Sequence, residues 1–430
     1  MSKPSASGSA SSSALPSFWD SFGPGLLWAG AAIGVSHLVQ STRAGADAGF
    51  ALAGVILLAL ILKYPFFEFG PRYAAATGES LVEGYARIGK WALWLYIALT
   101  LSTSLIIQAA IVLFTSFLLQ TVFGLTMLPL WAVGGLLILV CAGLLRIGRF
   151  RGLDRTIKTV LILLSVSTLF AAGLAAPRAD LSTLALWPPA SAAVPLAFIL
   201  ALAGWMPSAI DVAVWSSMWT LAKSRDKGSR TSVAHAVLDF RIGYVGTGIL
   251  AFAFLSLGAG VMYHSGTPFS PQGTRFSIQL VDLYSQTLGD WTRPIVMIAV
   301  LTTMFSTALT VIDGFPRAIG RSVLVLRDGV QRKATDSDTG PAYWISGAVL
   351  GLLTVIVMMS FAGNLTSMVD FATIVSFATA PVLGYLNLKV ITGANVALAD
   401  RPGSGLMWLS YVGLVGLGGM TVVYAVSLMS

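Results

Sequence analysis

Charge is what this sequence has least of. Asp, Glu, Lys and Arg make up 10% of its 430 residues, against about 25% in ordinary globular domains. A water-soluble chain of this length cannot cover its surface with so few ionised groups, so the excess apolar area needs lipid as its solvent. That excludes a soluble enzyme, a nucleic-acid reader and a disordered chain. Cysteine is nearly missing too. Cys141 stands alone in an apolar run, which leaves no disulfide framework and no Cys-type metal centre. His37, His235 and His264 are the three histidines and cannot build a His-rich metal centre by themselves. No phosphate-cradling glycine loop, metal-hydrolase motif or Ser/His/Asp set is legible, so ATP-driven pumping and catalysis have no support. No enzymatic activity and no bound cofactor are expected.

What the chain does have is apolar length. Hydrophobic residues are 56% of it, and the mean hydropathy is +0.82. Residues 1–23 are rich in Ser, Ala, Gly and Pro and lack the apolar core of a signal peptide, so they read as a disordered cytoplasmic tail. From Gly25 onward, segments long enough to cross about 30 Å of hydrocarbon recur to the C-terminus. They fall near 24–45, 48–71, 92–122, 127–146, 157–176, 193–222, 236–263, 293–313, 342–362, 365–391 and 405–428. The expected fold is an all-α polytopic membrane protein with eleven transmembrane helices. The lipid bilayer is its surrounding. Neither a nucleic-acid partner nor an obligatory protein partner is inferred.

The net charge of +8 fits cationic cytoplasmic loops, which also fix orientation. With the N-terminus in the cytoplasm, the even-to-odd loops hold the basic runs Arg146/Arg149/Arg151/Arg155/Lys158, Lys223/Arg225/Lys227/Arg230 and Arg317/Arg321/Arg327/Arg332/Lys333. Arg43, Arg178, Arg275 and Arg293 are the exceptions. A miscounted helix would scramble this asymmetry, so a multi-pass plasma-membrane protein with its N-terminus inside and its C-terminus outside is expected.

Eleven spans divide as ten plus one: a five-helix unit at 24–176, a second at 193–391, and an additional helix at 405–428. Five is odd, so the second unit enters the membrane from the opposite side, the inverted repeat of many secondary transporters. Such folds break the first helix of each unit at mid-membrane. Here those helices carry the polar interruptions Ile33-Gly34-Val35-Ser36-His37 and Trp205-Met206-Pro207-Ser208-Ala209-Ile210-Asp211. Gly34 weakens a helix through backbone freedom, Pro207 through a missing N–H and a steric clash. Freed carbonyls suit a cation and helix N-termini suit an anion, so the breaks alone leave the sign of the cargo open.

The side chains carry two meanings each. Ser208 and Asp211 fit a capping pattern as well as a substrate site. His37 is a candidate proton carrier, substrate donor or metal ligand, or a ring held by a neighbouring carbonyl. Gln40 and Ser41 follow it, Arg43 snorkels toward the outer interface, and Asp47 is positioned to pair with it. Trp28, Trp205 and Trp215 read as lipid-facing or packing residues rather than cation-binding faces. Met206 is a soft sulfur ligand or a gap-filler. Glu68, Asp239, Arg241, Asp313 and Asp370 lie within or at the edges of spans, where ionisable groups are functional by default. Asp239 and Arg241 suggest a structural ion pair or gate. Asp313 and Arg317 suggest the eighth helix reaching the cytoplasm, and Pro381 a kink in the tenth.

At these residues the chain resembles the Nramp family of divalent-metal transporters. The likeness rests on Gly23-Pro24-Gly25, on Ala44-Gly45-Ala46 with Gly49, on Met206-Pro207 and on the eleven-helix layout, over roughly 24–428. It implies a LeuT-like fold, alternating access and a metal held between the first and sixth helices. The departures are specific. The family's first-helix Asp-Pro-Gly-Asn stands here as Gly34-Val35-Ser36-His37, and its sixth-helix Met-Pro-His as Met206-Pro207-Ser208. No carboxylate occupies the third helix around Thr103-Ser104-Leu105-Ile106-Ile107, which implies weak or absent proton coupling.

Two readings follow. In the first, a divergent secondary transporter moves a divalent metal cation, with Met206, His37, Asp211 and the Ile33 carbonyl as ligands. In the second, the same scaffold carries a small organic solute or anion, hydrogen-bonded by Ser36, His37, Gln40 and Ser208 beside Gly34 and Trp205. A non-transporting sensor or scaffold is a third class, disfavoured because no soluble signalling domain is appended.

Overall fold

The structure is a computed structural model that describes residues 23–147, 150–226, 228–263, 269–330, 340–360 and 364–429. Regular structure among these residues is helical, without a strand. In chain order the α-helices are α1 (Pro24–Ala32), α2 (Thr42–Ala48), α3 (Ala53–Thr77), α4 (Leu81–Ile88) and α5 (Lys90–Phe123). Then come α6 (Leu130–Ile147), α7 (Phe150–Ala175), α8 (Leu196–Gly204), α9 (Val212–Asp226) and α10 (Val233–Val261). The chain ends with α11 (Gly273–Leu288), α12 (Arg293–Asp328), α13 (Pro341–Ser360), α14 (Leu365–Ile391) and α15 (Ser404–Ser427). Eight of them, α3, α5, α6, α10, α12, α13, α14 and α15, are long and apolar enough to cross a membrane unaided. The pairs α1/α2 and α8/α9 are the halves of two interrupted rods. The tail 1–22, Arg149, Lys227, Arg332, Lys333 and His264 lie outside the described residues.

Small residues decide how closely the rods approach. Without a hydrophobic drive between helices in lipid, backbone contact is what associates them. A Cβ on Gly45 of α2 would sit 2.0 Å from the Leu255 carbonyl oxygen, and one on Gly258 of α10 would sit 2.2 Å from that of Thr42. The two helices therefore meet glycine against backbone from both sides. Gly25 of α1 meets the Asp239 carbonyl oxygen of α10 in the same way, at 2.0 Å from a built Cβ. Thus α10 clasps both halves of the first rod, and the glycines of Gly23-Pro24-Gly25 and Ala44-Gly45-Ala46 are contact points. Helix α12 packs against α1 and α9, and α14 against α8.

Three features differ from the expected layout. Helix α12 runs on to Asp328 instead of ending at Asp313. The Asp313 carboxylate is gripped by Arg317 one turn later at 2.7 Å and by the Tyr343 hydroxyl at 2.9 Å, so the helix continues past it with that charge paired. Helices α4 and α11 were not expected, because a search for apolar spans passes over short amphipathic helices. For α4 the local signal exists: Ser80 and Glu83 form a capping box, with Glu83 accepting from the Ser80 amide at 2.9 Å. Asp239 and Arg241 are also not one another's partners. Arg241 pairs with Glu68 at 3.1 Å, and Asp239 faces Lys223 at 3.6 Å.

Candidate functional site

The first rod leaves helical geometry at Ile33 and Gly34 and re-enters through a π-helical turn over Ser36–Ser41. Thr307 of α12 stands in this gap. Its hydroxyl lies 3.3 Å from the Gly30 carbonyl oxygen and 3.4 Å from that of Ile33, which lost their helical partners. A Cβ at Gly34 would come within 2.8 Å of the Thr307 methyl, so the residue type at 34 follows from that approach. The second rod opens after Gly204, and α9 starts at Val212. The Met206–Pro207 bond is cis. Gly204 lies flush on α14, where a Cβ would be 2.0 Å from the Thr373 carbonyl oxygen.

The two interruptions face each other across a cavity of about 30 Å³. A cavity needs roughly 10–15 Å³ on this measure to hold one water, so the space suits an ion or one or two waters. Ser36 from the first rod, Trp205, Ser208, Asp211 and Trp215 from the second, and Thr307, Val311 and Phe315 of α12 line it, with Ile107 and Ile111 of α5. Most of the lining is apolar. Its one carboxylate is Asp211, 1% exposed. Asp211 Oδ1 accepts from Thr103 Oγ1 of α5 at 3.3 Å, while Oδ2 is buried with no hydrogen-bond partner among the described residues. The indole N–H of Trp215 likewise has no acceptor. An orphaned carboxylate oxygen inside a protein is costly, and a cation arriving beside it recovers that cost.

The residues singled out from the sequence separate into two groups. Ser36, Trp205, Ser208 and Asp211 come together at the cavity, with Ile33 and Gly34 at its edge against Thr307. Trp205 is positioned by Nε1 donating to Ser376 Oγ at 2.8 Å. Met206 is wholly buried in the same break. His37 turns the other way: its Nε2 meets the Thr247 carbonyl of α10 at 3.0 Å, and its Nδ1 the Ser36 hydroxyl at 2.8 Å. A carbonyl only accepts, so Nε2 carries the proton. Gln40 belongs to a separate cluster, donating to Asp370 Oδ1 at 3.0 Å and accepting from Arg43. Arg43 pairs with Asp370 at 2.8 Å and stacks over the Phe198 ring, so α14 rather than the expected Asp47 supplies its carboxylate.

Sequence reasoning missed Lys63. It lies in α3 with its ammonium wholly buried, donating to the carbonyl oxygens of Ala203 at 3.2 Å, Gly204 at 2.8 Å and Ser208 at 2.6 Å. The signal was available, because a single cation ending the run Ala59-Leu60-Ile61-Leu62 is rare inside a span. Thr103 and Thr307 carried no such signal. Hydroxyls on apolar helices are common, and only the fold says which of them face a gap.

The chain matches the family model described as natural resistance-associated macrophage protein-like, Nramp, over residues 25–424. An uncharacterized protein of Pasteurella multocida is 35% identical to it over 411 residues, 94% of this chain and 91% of that protein. In fold it is similar to the manganese transporter of Eremococcus coleocola, with a TM-score of 0.69 at 16% identity, covering 95% of this chain and 87% of the other. It is also similar to MhsT, solved with L-phenylalanine, at a TM-score of 0.62 and 16% identity over 93% of this chain and 98% of the other. Mhp1, a nucleobase-cation-symport-1 family transporter, aligns at 0.57 and 16% identity over 95% of this chain and 90% of the other. All three structural likenesses speak to the LeuT fold.

Proposed function

We propose a function from the premise that this chain belongs to the Nramp family. It is a multi-pass membrane transporter of LeuT fold, not an enzyme. Beyond that, we read it as a secondary transporter working by alternating access, with a divalent metal cation as cargo. The observation that carries this reading is the Asp211 Oδ2 orphan at the cavity between the two breaks. A cation leaving water needs formal negative charge beside it, and Asp211 supplies it. Ser208 and Ser36 add hydroxyl oxygens. Met206 lies in the same break as a sulfur donor, and His37 joins only if its ring leaves Thr247. The manganese transporter of similar fold supports the cation class.

The chain forms two inverted five-helix units, 24–176 and 193–391, with 405–428 added. The N-terminus is cytoplasmic, since the basic residues of the loops after α9 and α12 fall on one side. Proton coupling is weak or absent, because α5 carries no carboxylate. The decisive experiment is Mn²⁺ uptake into proteoliposomes containing the full chain and a pH-sensitive dye. Saturable uptake without dye response is the expected result. Absence of uptake, with no divalent ion detected by calorimetry, rejects the metal reading.

A small organic solute is the second reading, and it requires the cavity to widen beyond the space for an ion or one or two waters. Trp205, Trp215 and Phe315 make the walls aromatic, and an unpartnered indole N–H stands on the same cavity as an unpartnered carboxylate oxygen. A solute that both donates and accepts would satisfy both. Thermal stabilisation of the purified protein by a member of a metabolite panel, with none by Mn²⁺, selects this reading.

A further inference from the structure

We propose that the Lys63 ammonium is a resident cation of the second break: it fills a carbonyl cage that would otherwise take up a monovalent metal ion, so that this carrier uses no inorganic co-ion at that place.

An isolated ammonium inside a protein carries a penalty of several kcal/mol, and no carboxylate is paired with Lys63 among the described residues. What compensates it is oxygen. Its three N–H groups are matched by three carbonyl oxygens at 2.6–3.2 Å, and the face of Phe67 lies 5.7 Å away. Two of those carbonyls, Ala203 and Gly204, are the last of α8. Both sit at the negative end of the helix; the Ala203 oxygen also accepts from the Met206 N–H at 3.3 Å, across the break. The third, Ser208, comes from beyond the cis peptide and curls back to the same point.

Convergence of backbone carbonyls from both sides of an unwound segment is how such folds coordinate a cation. The radius set by these oxygens suits ammonium and potassium better than sodium. Here α3 delivers the cation on a tether. The Ser208 carbonyl belongs to a residue whose side chain lines the cargo cavity, so the tethered charge fixes one wall of that cavity without touching the cargo. Lys63 is a positioning residue, and its test reads ion binding rather than uptake. It therefore stands or falls separately from the identity of the cargo.

The experiment compares thermal unfolding of the full-length wild type and Lys63→Ala at constant ionic strength in N-methyl-D-glucamine, sodium, potassium and methylammonium chlorides. Wild type is expected to unfold at one temperature in all four. Lys63→Ala is expected to unfold several degrees lower in N-methyl-D-glucamine and to recover saturably with potassium or methylammonium. Recovery of folded Lys63→Ala only when it is purified in those two salts is the same result in stronger form. A mere staple between α3 and α8 predicts instead that Lys63→Gln, which keeps an N–H₂ donor, restores wild-type stability with no response to salt. That outcome overturns the proposal. So does a saturable sodium or potassium response in wild type, or a Lys63→Ala that no salt rescues.

Discussion

The carboxylate of Asp239, on α10, accepts the backbone N–H of Gly25 at 3.1 Å and thereby caps the start of the first rod. The Gly23 N–H reaches its other oxygen at 3.3 Å, and Lys223 of α9 stands 3.6 Å away. One acidic side chain thus ties α1, α9 and α10 together at the end of the bundle where α1 begins. An anion at a helix N-terminus is favourable, and this one also faces the Lys223 ammonium.

Weakening this clasp should loosen α1. In a Cys141→Ser background carrying Ala31→Cys, a cavity-lining position, Asp239→Asn is expected to raise the maleimide-labelling rate about fivefold. That is the effect of losing roughly 1 kcal/mol of charge-assisted bonding. A labelling rate equal to that of the parent would show that Asp239 does not hold α1 in place.

Asp211→Asn keeps the shape of the side chain and an oxygen for Thr103 but removes the charge from the cavity. Cargo uptake is expected to fall at least ~100-fold, on the scale of 1.4 kcal/mol per tenfold. The unfolding temperature is expected to stay level or rise, since an unsatisfied buried carboxylate oxygen is destabilising. Retained uptake removes Asp211 from the site. A large loss of stability would point instead to a structural role.

Gly45→Ala places a methyl 2.0 Å from the Leu255 carbonyl oxygen. Overpacking of this kind costs about 1–3 kcal/mol, and α2 must separate from α10 to admit it. A clear drop in the unfolding temperature is expected. Gly419→Ala in α15 makes a control, since nothing lies within 4 Å of its built Cβ, and it should leave stability within about 0.5 kcal/mol.

Arg321 and Glu83 form a buried pair joining α12 to α4, with side chains 7% and 3% exposed. Removing one partner strands the other, at a cost of about 3–5 kcal/mol, whereas removing both is much milder. Arg321→Met alone is therefore expected to be less stable than Arg321→Met combined with Glu83→Gln. Equal or additive losses would mean that the two residues act independently.

The rods and both interruptions were legible because membrane spans announce themselves by length, and because Gly34 and Pro207 are conspicuous inside them. Ser36, Ser208 and Asp211 were legible as polar residues beside those breaks. The direction of each side chain was not. His37 lies one residue from Ser36, yet the π-helical turn aims it at Thr247 instead of across the gap, and no residue pattern specifies that turn. Lys63 was missed for a related reason: its partners are backbone carbonyls, which have no letter in a sequence. The pairing of Arg43 with Asp370 joins positions far apart in the chain, and helical spacing points only to neighbours such as Asp47.

Helix α12 is 36 residues long, roughly 54 Å at 1.5 Å per residue, while the hydrocarbon layer is about 30 Å thick. The surplus length carries the helix on, packed within the protein, as far as Arg321 and beyond. Thr307, Val311 and Phe315 sit along its fulcrum, and Arg321 grips the amphipathic α4 farther out. Pro316 lies between that fulcrum and Arg321, so a rearrangement of the cargo chamber reaches α4 through a point where a helix bends most readily.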